Sequence, residues 1–236
     1  MTTPEEDRPR TTTPHGTPDA PRLTVRGEAH VEVDPETGRI GITVTSRGKD
    51  RRTALDDLTR RNTTALDLVR SYGDAVRHIE TGTFSVSPEL TKHGRGDRVR
   101  TYHGTVHLTA ELTDFTALGE LTTRLADLDL TRVDGPWWDL RPDSPAHRRA
   151  RQEAVHDAVR RAREYAEALG TSLTALVELA DTGTEDAPRA ASRSRMRVMA
   201  YAEAAEDTAA ALDLEPQRQH VHAEVTARFT MAPPRL

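Results

Sequence analysis

The spacing of apolar residues in this chain changes several times, from every second residue to every third or fourth residue. Apolar and polar residues alternate in segments 23–33, 40–44 and 99–112, whereas segment 55–69 repeats its apolar residues at helical spacing. In a strand, alternation places the apolar side chains on one face, which can pack against a core. In a helix, a spacing of three or four residues places them along one side, which can pack in the same way. A chain with both periods therefore builds a sheet with helices packed against it.

The predicted elements follow in the order ββαββ and then αβαββ. Strands that come in pairs, rather than in strict alternation with helices, are typical of antiparallel sheets. We therefore predict an α+β fold with a mainly antiparallel sheet and helices packed on one face. The turn DPETG (34–38) predicts that the first two strands form a hairpin, and Gly82 predicts a bulge in the third strand.

Capping residues mark the ends of three predicted helices. The first helix spans about 50–72 and ends at Gly73, a glycine cap. Asp114 is the predicted N-cap of the second helix, and Asp143 or Ser144 is that of the third.

The third helix also carries alanines four residues apart, a row that permits close approach to a sheet or to another helix. This row consists of Ala150, Ala154, Ala158, Ala162 and Ala166.

Two segments differ in composition from the rest of the chain. Residues 1–21 contain five prolines and six threonines with few apolar residues, and we predict a disordered tail. Residues 183–217 mix small residues with opposite charges without a sustained period, which predicts a long variable loop. Apart from that loop, residues 22–236 are predicted to form one domain.

The chain has no cysteine, so disulfides and cysteine-ligated metals are excluded.

The charge and the hydropathy of the chain argue against binding to nucleic acid and against a membrane-spanning helix. The formal net charge is −5, which disfavours binding to nucleic acid, although the third helix is rich in arginine. No apolar run reaches the roughly 18 residues that a membrane helix needs. The first 22 residues lack the apolar stretch of a secretory signal, and from this we predict a cytoplasmic location.

Several blocks of the sequence resemble proteins of the SIMPL-domain (DUF541) family. The run RRNTTALDLVRSYGDAVRHIETGTFSVSPEL (60–90) is similar to a block in which an asparagine-bearing helix precedes an I-x-T strand. The similarity continues in the D-F-x-x-L-G start of the second helix (114–119), in the alanine-rich third helix and in the final strand HVHAEVTARFTM (220–231). The resemblance covers about residues 23–231.

The resemblance implies a bacterial protein without an agreed catalytic activity. Relatives are named oxidative-stress-defence or periplasmic immunogenic proteins, and at least one is a large ring-like or hollow oligomer. We therefore predict a non-enzymatic structural or stress-related interaction module without a cofactor, which forms a homo-oligomer and meets unknown protein partners. This chain departs from the family at the EPQRQ segment (215–219) before the final strand. From the composition of its first 22 residues we also expect it to differ from periplasmic relatives, which carry a signal peptide.

Four histidines support an alternative function. His103 and His107 share one strand face, and His220 and His222 share a face of the last strand. Glu224 lies on the same side of the last strand. If those two strands pair, a site with three ligands is possible, as in a metal-binding protein or a metal-dependent hydrolase. The competing interpretation is a solvated polar sheet face with exposed histidines, and we prefer it because such histidine patterns often occur without a metal. The chain also has no H-E-x-x-H motif.

Three other side chains are predicted to have structural roles. Asn62 falls in the apolar stripe of the first helix, where a buried amide needs partners, and we expect a hydrogen bond to sheet backbone. Trp137 and Trp138 follow one another on a short strand, so one ring must face inward and the other outward. The outward ring either anchors a partner or lies over its own helix, and we prefer the second alternative.

Overall fold

The computed structural model describes residues 16–90, 99–181 and 212–234. Its helices are α1 (Arg51–Arg70), α2 (Phe115–Ala126) and α3 (Pro145–Ala168), and a short 3-10 turn spans Gly73–Ala75. Its strands are β1 (Arg22–Val33), β2 (Thr37–Gly48), β3 (Val76–Leu90), β4 (Val99–Leu112), β5 (Thr131–Asp139), β6 (Leu173–Asp181) and β7 (Gln219–Met231). The predicted α+β class and the order of the elements are confirmed.

Most of the predicted tail and variable loop lies outside the described residues. Of the tail, only residues 16–21 are described, and of the loop only residues 212–217. Disorder at residues 1–21 and the variable loop at 183–217 therefore stay predictions, and so does the assignment of 22–236 to one domain.

The strands form two sheets rather than the one sheet that the sequence predicted. One sheet has the order β3-β4-β2-β5, and the other has the order β1-β7-β6. The predicted hairpin of the first two strands is wrong, because β1 pairs with β7 while β2 pairs with β4 and β5. Alternation in a sequence tells which face of a strand is buried, but it does not tell which strand lies alongside.

The described residues divide into two compact units. The four-stranded unit contains β2 to β5 with α1 and α2, and the three-stranded unit contains β1, α3, β6 and β7. Each unit is a sheet covered on one face by helix, which is how an amphipathic helix and a half-apolar sheet bury their apolar sides together.

In the four-stranded unit, α1 and α2 begin at aspartates that act as N-caps. The Asp50 side chain accepts a hydrogen bond from the Thr53 amide. Asp114, the predicted N-cap of α2, accepts from the amides of Thr116 and Ala117. The helices cover the apolar side of β2 and β4. The fully buried core includes Ile40, Ile42, Val44, Leu108, Leu112, Leu118, Leu121 and Leu125.

In the three-stranded unit, α3 packs directly on the sheet through its row of alanines. Ser144 caps the helix, Pro145 occupies its first turn, and the five alanines of the row are buried. A Cβ atom on Gly27 of β1 would lie only 2.5 Å from the Ala158 amide nitrogen, so the backbones of β1 and α3 nearly touch. The sequence left open whether the row met a sheet or a helix, and the structure assigns it to the sheet.

Candidate self-association surface

The four predicted metal-ligating histidines lie on strands that do not pair. His103 and His107 are on β4 of the four-stranded sheet, and His220 and His222 are on β7 of the three-stranded sheet. The condition for a shared ion, that the two strands pair, is therefore not met. Within residues 16–90, 99–181 and 212–234, no group of three histidine or acidic side chains is arranged to hold a metal.

The structure shows a histidine contact that sequence reasoning missed. His222 stacks on His30 of β1, with ring centroids 4.4 Å apart, and His222 Nδ1 is buried without a hydrogen-bond partner in the described part of the chain. His107 makes a different contact, because its Nδ1 lies 2.9 Å from the Thr43 hydroxyl on the neighbouring strand. The contact between His30 and His222 follows from the pairing of β1 with β7. The spacing of residues in the sequence does not indicate that pairing.

Asn62 lies in α1 and is half-buried, but the expected hydrogen bond to sheet backbone is not present. Its Oδ1 atom is buried and has no donor among the residues that the structure describes. Helix spacing correctly placed the amide near the core, but whether a donor lies opposite depends on how the helix sits on the sheet.

The side-chain oxygen of Asn62, which has no donor among the described residues, predicts a gain of stability when the amide is removed. A buried polar atom without a partner costs roughly 1–3 kcal/mol, so Asn62→Leu, a change of similar volume, is expected to raise the free energy of unfolding by about 1 kcal/mol. Urea unfolding followed by circular dichroism measures the change, and Thr64→Leu on the exposed side of the same helix serves as the control. A loss of stability in Asn62→Leu would show that the amide does have a partner.

The two tryptophans face inward and outward as their spacing predicted, whereas the predicted glycine cap, Gly73, lies two residues beyond Ser71, the C-cap of α1. Gly73 follows α1 with a φ of +52°, a left-handed conformation that favours glycine at the end of a helix. Trp138 faces inward and meets Phe115 edge to face, with ring centroids 4.8 Å apart. Trp137 faces outward, is 46% exposed, and its ring lies 3.3 Å from the position that a Cβ on Gly41 would occupy. The outward ring thus lies over the sheet, at Gly41 of β2, and not over a helix as expected.

Two carboxyl groups on α1 have lowered pKa values, and both shifts have local causes. The pKa of Asp50 lies below its ordinary value because the Thr53 amide and hydroxyl donate hydrogen bonds to the carboxylate. The pKa of Asp57 is lowered by a hydrogen bond from Arg61 at 2.9 Å and by Arg60. An N-cap and helical ion pairs explain both groups.

Side chains of α3 cover the free edge of β1. The Asp157 carboxylate accepts a hydrogen bond from the Glu28 amide at 3.0 Å, and Arg161 donates to the Arg26 carbonyl at 2.8 Å. An uncovered strand edge is a template for pairing with another chain. The helix therefore protects the β1 edge of the sheet, and it lies on the β1 side of the unit.

The other edge strand, β6, keeps its apolar side chains exposed. Leu176 and Leu179 pair in register with Phe229 and Ala227 of β7, whose side chains are buried on the helix-facing side of the sheet. The two leucines should be covered in the same way, yet Leu176 is 54% exposed and Leu179 is 46% exposed. Because α3 lies toward β1, the helix-facing side of β6 is left without a cover in the described residues.

A groove of about 520 Å³ marks the uncovered area between α3 and β6. Val159, Arg163 and Glu167 form its helical wall, and Leu173, Leu176 and Phe229 lie along its sheet side. We call this groove, together with Leu179, the β6 groove. Exposed apolar side chains that adjoin one another mark contact sites for other proteins more often than scattered ones do.

Comparison with known proteins agrees with the resemblance in the sequence. The family described as SIMPL, a protein of unknown function (DUF541), matches residues 23–229. The chain is similar to the 26 kDa periplasmic immunogenic protein of Brucella melitensis, with 23% identity over 185 residues, which are 75% of this chain and 73% of that protein. The protein of the same name from Brucella abortus matches with the same identity and the same coverage.

The names of these relatives overturn the cytoplasmic location that the sequence predicted. Both relatives are named periplasmic proteins. The prediction rested on the composition of the first 22 residues, whereas the similarity extends over 185 residues. In the part of the chain that the structure describes, no helix is long and apolar enough to cross a membrane.

Proposed function

This chain belongs to the SIMPL (DUF541) family, and we propose that it is a non-enzymatic structural module that associates with copies of itself. The observation that carries the proposal is the β6 groove, where Leu176 and Leu179 are half exposed on the side of the sheet that a helix normally covers. The stress-related role that the resemblance implied stays a prediction.

Energetic reasoning supports a contact at this groove. Complete burial of a leucine side chain is worth about 1.5–3 kcal/mol, so covering two half-exposed leucines recovers roughly 2 kcal/mol. Association also costs at least about 4 kcal/mol in lost translational and rotational freedom, so a stable contact needs further surface beside the groove. A second copy brings the same groove with it, which doubles the apolar gain in a two-fold contact.

The proposal predicts that the full chain is larger than a monomer in solution. Sedimentation velocity across micromolar concentrations is expected to show a mass of at least two copies that falls on dilution. A monomer at every concentration would contradict the proposed function.

Variants of the groove test whether it makes the contact. The double variant Leu176→Glu/Leu179→Glu is expected to weaken association by roughly 100-fold, because it removes the apolar gain and forces carboxylates into the contact. Leu55→Glu on α1 is the control, since Leu55 is 40% exposed and lies in the four-stranded unit. Equal weakening by the control variant would show that exposed leucines in general, rather than the β6 groove, cause the association.

A further inference from the structure

Charged residues along one side of α3 have an ordered arrangement. Arg160 and Arg163 come first, and Glu164 and Glu167 follow one turn later. We call these four residues the α3 flank. They line a second groove of about 450 Å³ along the helix, together with His156 and Val159. Arg163, Glu167 and Val159 also line the β6 groove, so the two grooves are continuous.

Among the residues that the structure describes, part of the charge on the α3 flank is not neutralised. Arg160 pairs with Asp157 and lies 3.9 Å from Glu164. By contrast, the side chains of Arg163 and Glu167 have no ion pair or hydrogen bond within residues 16–90, 99–181 and 212–234. Elsewhere on the helix, Arg149 pairs with Glu153 and Arg161 bonds to β1. In the described part of the chain, two opposite charges without an ion-pair partner therefore stand at the wall of an uncovered apolar groove.

We propose that α3 of one copy lies antiparallel beside α3 of a second copy, around a two-fold axis that passes between Arg163 and Glu164. This inference rests on the proposed self-association and adds the partner helix, its direction and its register. In this register Arg160 stands opposite Glu167 of the other copy, and Arg163 stands opposite Glu164. All four cross-copy pairs have opposite charges, whereas a parallel arrangement in register places arginine against arginine.

The same contact covers the apolar area beside the flank. Val159 is half-buried on the helix, and Leu173, Leu176 and Phe229 form the adjacent sheet side of the β6 groove. Side chains of the second helix, including the aliphatic stems of its arginines, can lie over these leucines while their charged ends meet the opposite flank. Charge thus sets the register, and the apolar groove supplies the stabilisation.

Pairing of β6 with β6 of another copy is the competing arrangement. The register of β6 against β7 is irregular between Leu173 and Ala175 and again between Leu176 and Glu178. Irregularities of this kind twist an edge strand and reduce its ability to accept another strand. The structure therefore favours contact through the helix flank over extension of the sheet.

Charge exchange on the α3 flank tests the inference. In the acidic variant, Arg160→Glu/Arg163→Glu, all four flank residues are negative, and in the basic variant, Glu164→Arg/Glu167→Arg, all four are positive. Each variant alone is expected to associate at least about 100-fold more weakly than the original chain, because like charges then face one another. An equimolar mixture of the two variants is expected to regain association, because every cross-copy pair is again opposite in charge.

The control variant is Arg148→Glu/Arg151→Glu, which changes two exposed arginines of the same helix outside the flank. It is expected to associate like the original chain, and circular dichroism checks that all variants keep their helix. If the acidic and basic variants still associate, or if their mixture does not regain association, the register is wrong although self-association stands. If the original chain is itself monomeric, the proposed function and this inference fail together.

Discussion

Replacement of Gly27 with valine is expected to destabilise the three-stranded unit by more than about 3 kcal/mol, the upper end of the usual cost of overpacking a core. A Cβ atom at this position would lie 2.5 Å from the Ala158 amide nitrogen and 2.7 Å from the Ala158 Cβ, and it would also collide with the Ala154 carbonyl oxygen. These atoms belong mostly to helix backbone, so they cannot rotate away. Relief requires α3 to lift from the sheet, which exposes the buried alanine row.

Hydrogen exchange measures where Gly27→Val acts. Amides of α3 and β7 are expected to lose protection, while urea unfolding gives the overall loss of stability. Gly82→Val is the matched control, because a Cβ at Gly82 meets only the His107 carbonyl at 3.6 Å, an ordinary contact. A Gly27→Val protein as stable as the control would mean that α3 does not approach β1 as closely as described.

Replacement of Leu121 with alanine is expected to cost about 2–5 kcal/mol, the usual range for a leucine removed from a packed core. Leu121 lies on α2, is completely buried, and belongs to the core cluster of the four-stranded unit with Leu118, Leu125 and Ile42. Because domains are stable by only about 5–15 kcal/mol, one such cavity removes a large share of the total.

The control for Leu121→Ala is Leu55→Ala on α1. The chemical change and the helical context are the same, but Leu55 is 40% exposed and leaves no closed cavity. Its expected cost is below about 1 kcal/mol. Thermal and urea unfolding of the two variants should therefore differ clearly, and equal losses would show that Leu121 does not lie in a closed core.

Local patterns were enough to predict most of the elements. The order ββαββ-αβαββ, the N-cap at Asp114, the left-handed Gly73 and the inward and outward tryptophans all follow from interactions within a few residues of the chain. The bulge at Gly82 is also found, as a shift in the register of β3 against β4 between Thr81 and Phe84. Such features depend on backbone preference and on side-chain period, which are properties of short segments.

Strand partners could not be predicted in the same way. β1 and β2 follow one another closely and both alternate, yet they belong to different sheets. The candidate metal site failed for the same reason, because it required β4 and β7 to pair. His30 and His222 meet although 192 positions separate them, which no local spacing indicates.

For the candidate surface, the sequence alone determined the components: a row of small residues on α3, charged residues of both signs along the same helix, and apolar residues in β6. Only the tertiary structure decided that they form a groove. Close contact between Gly27 and α3 holds the helix on the β1 side, which leaves Leu176 and Leu179 of β6 half exposed. Which apolar side chains stay uncovered depends on where a helix lies on its sheet, and that position results from packing between residues distant in the chain.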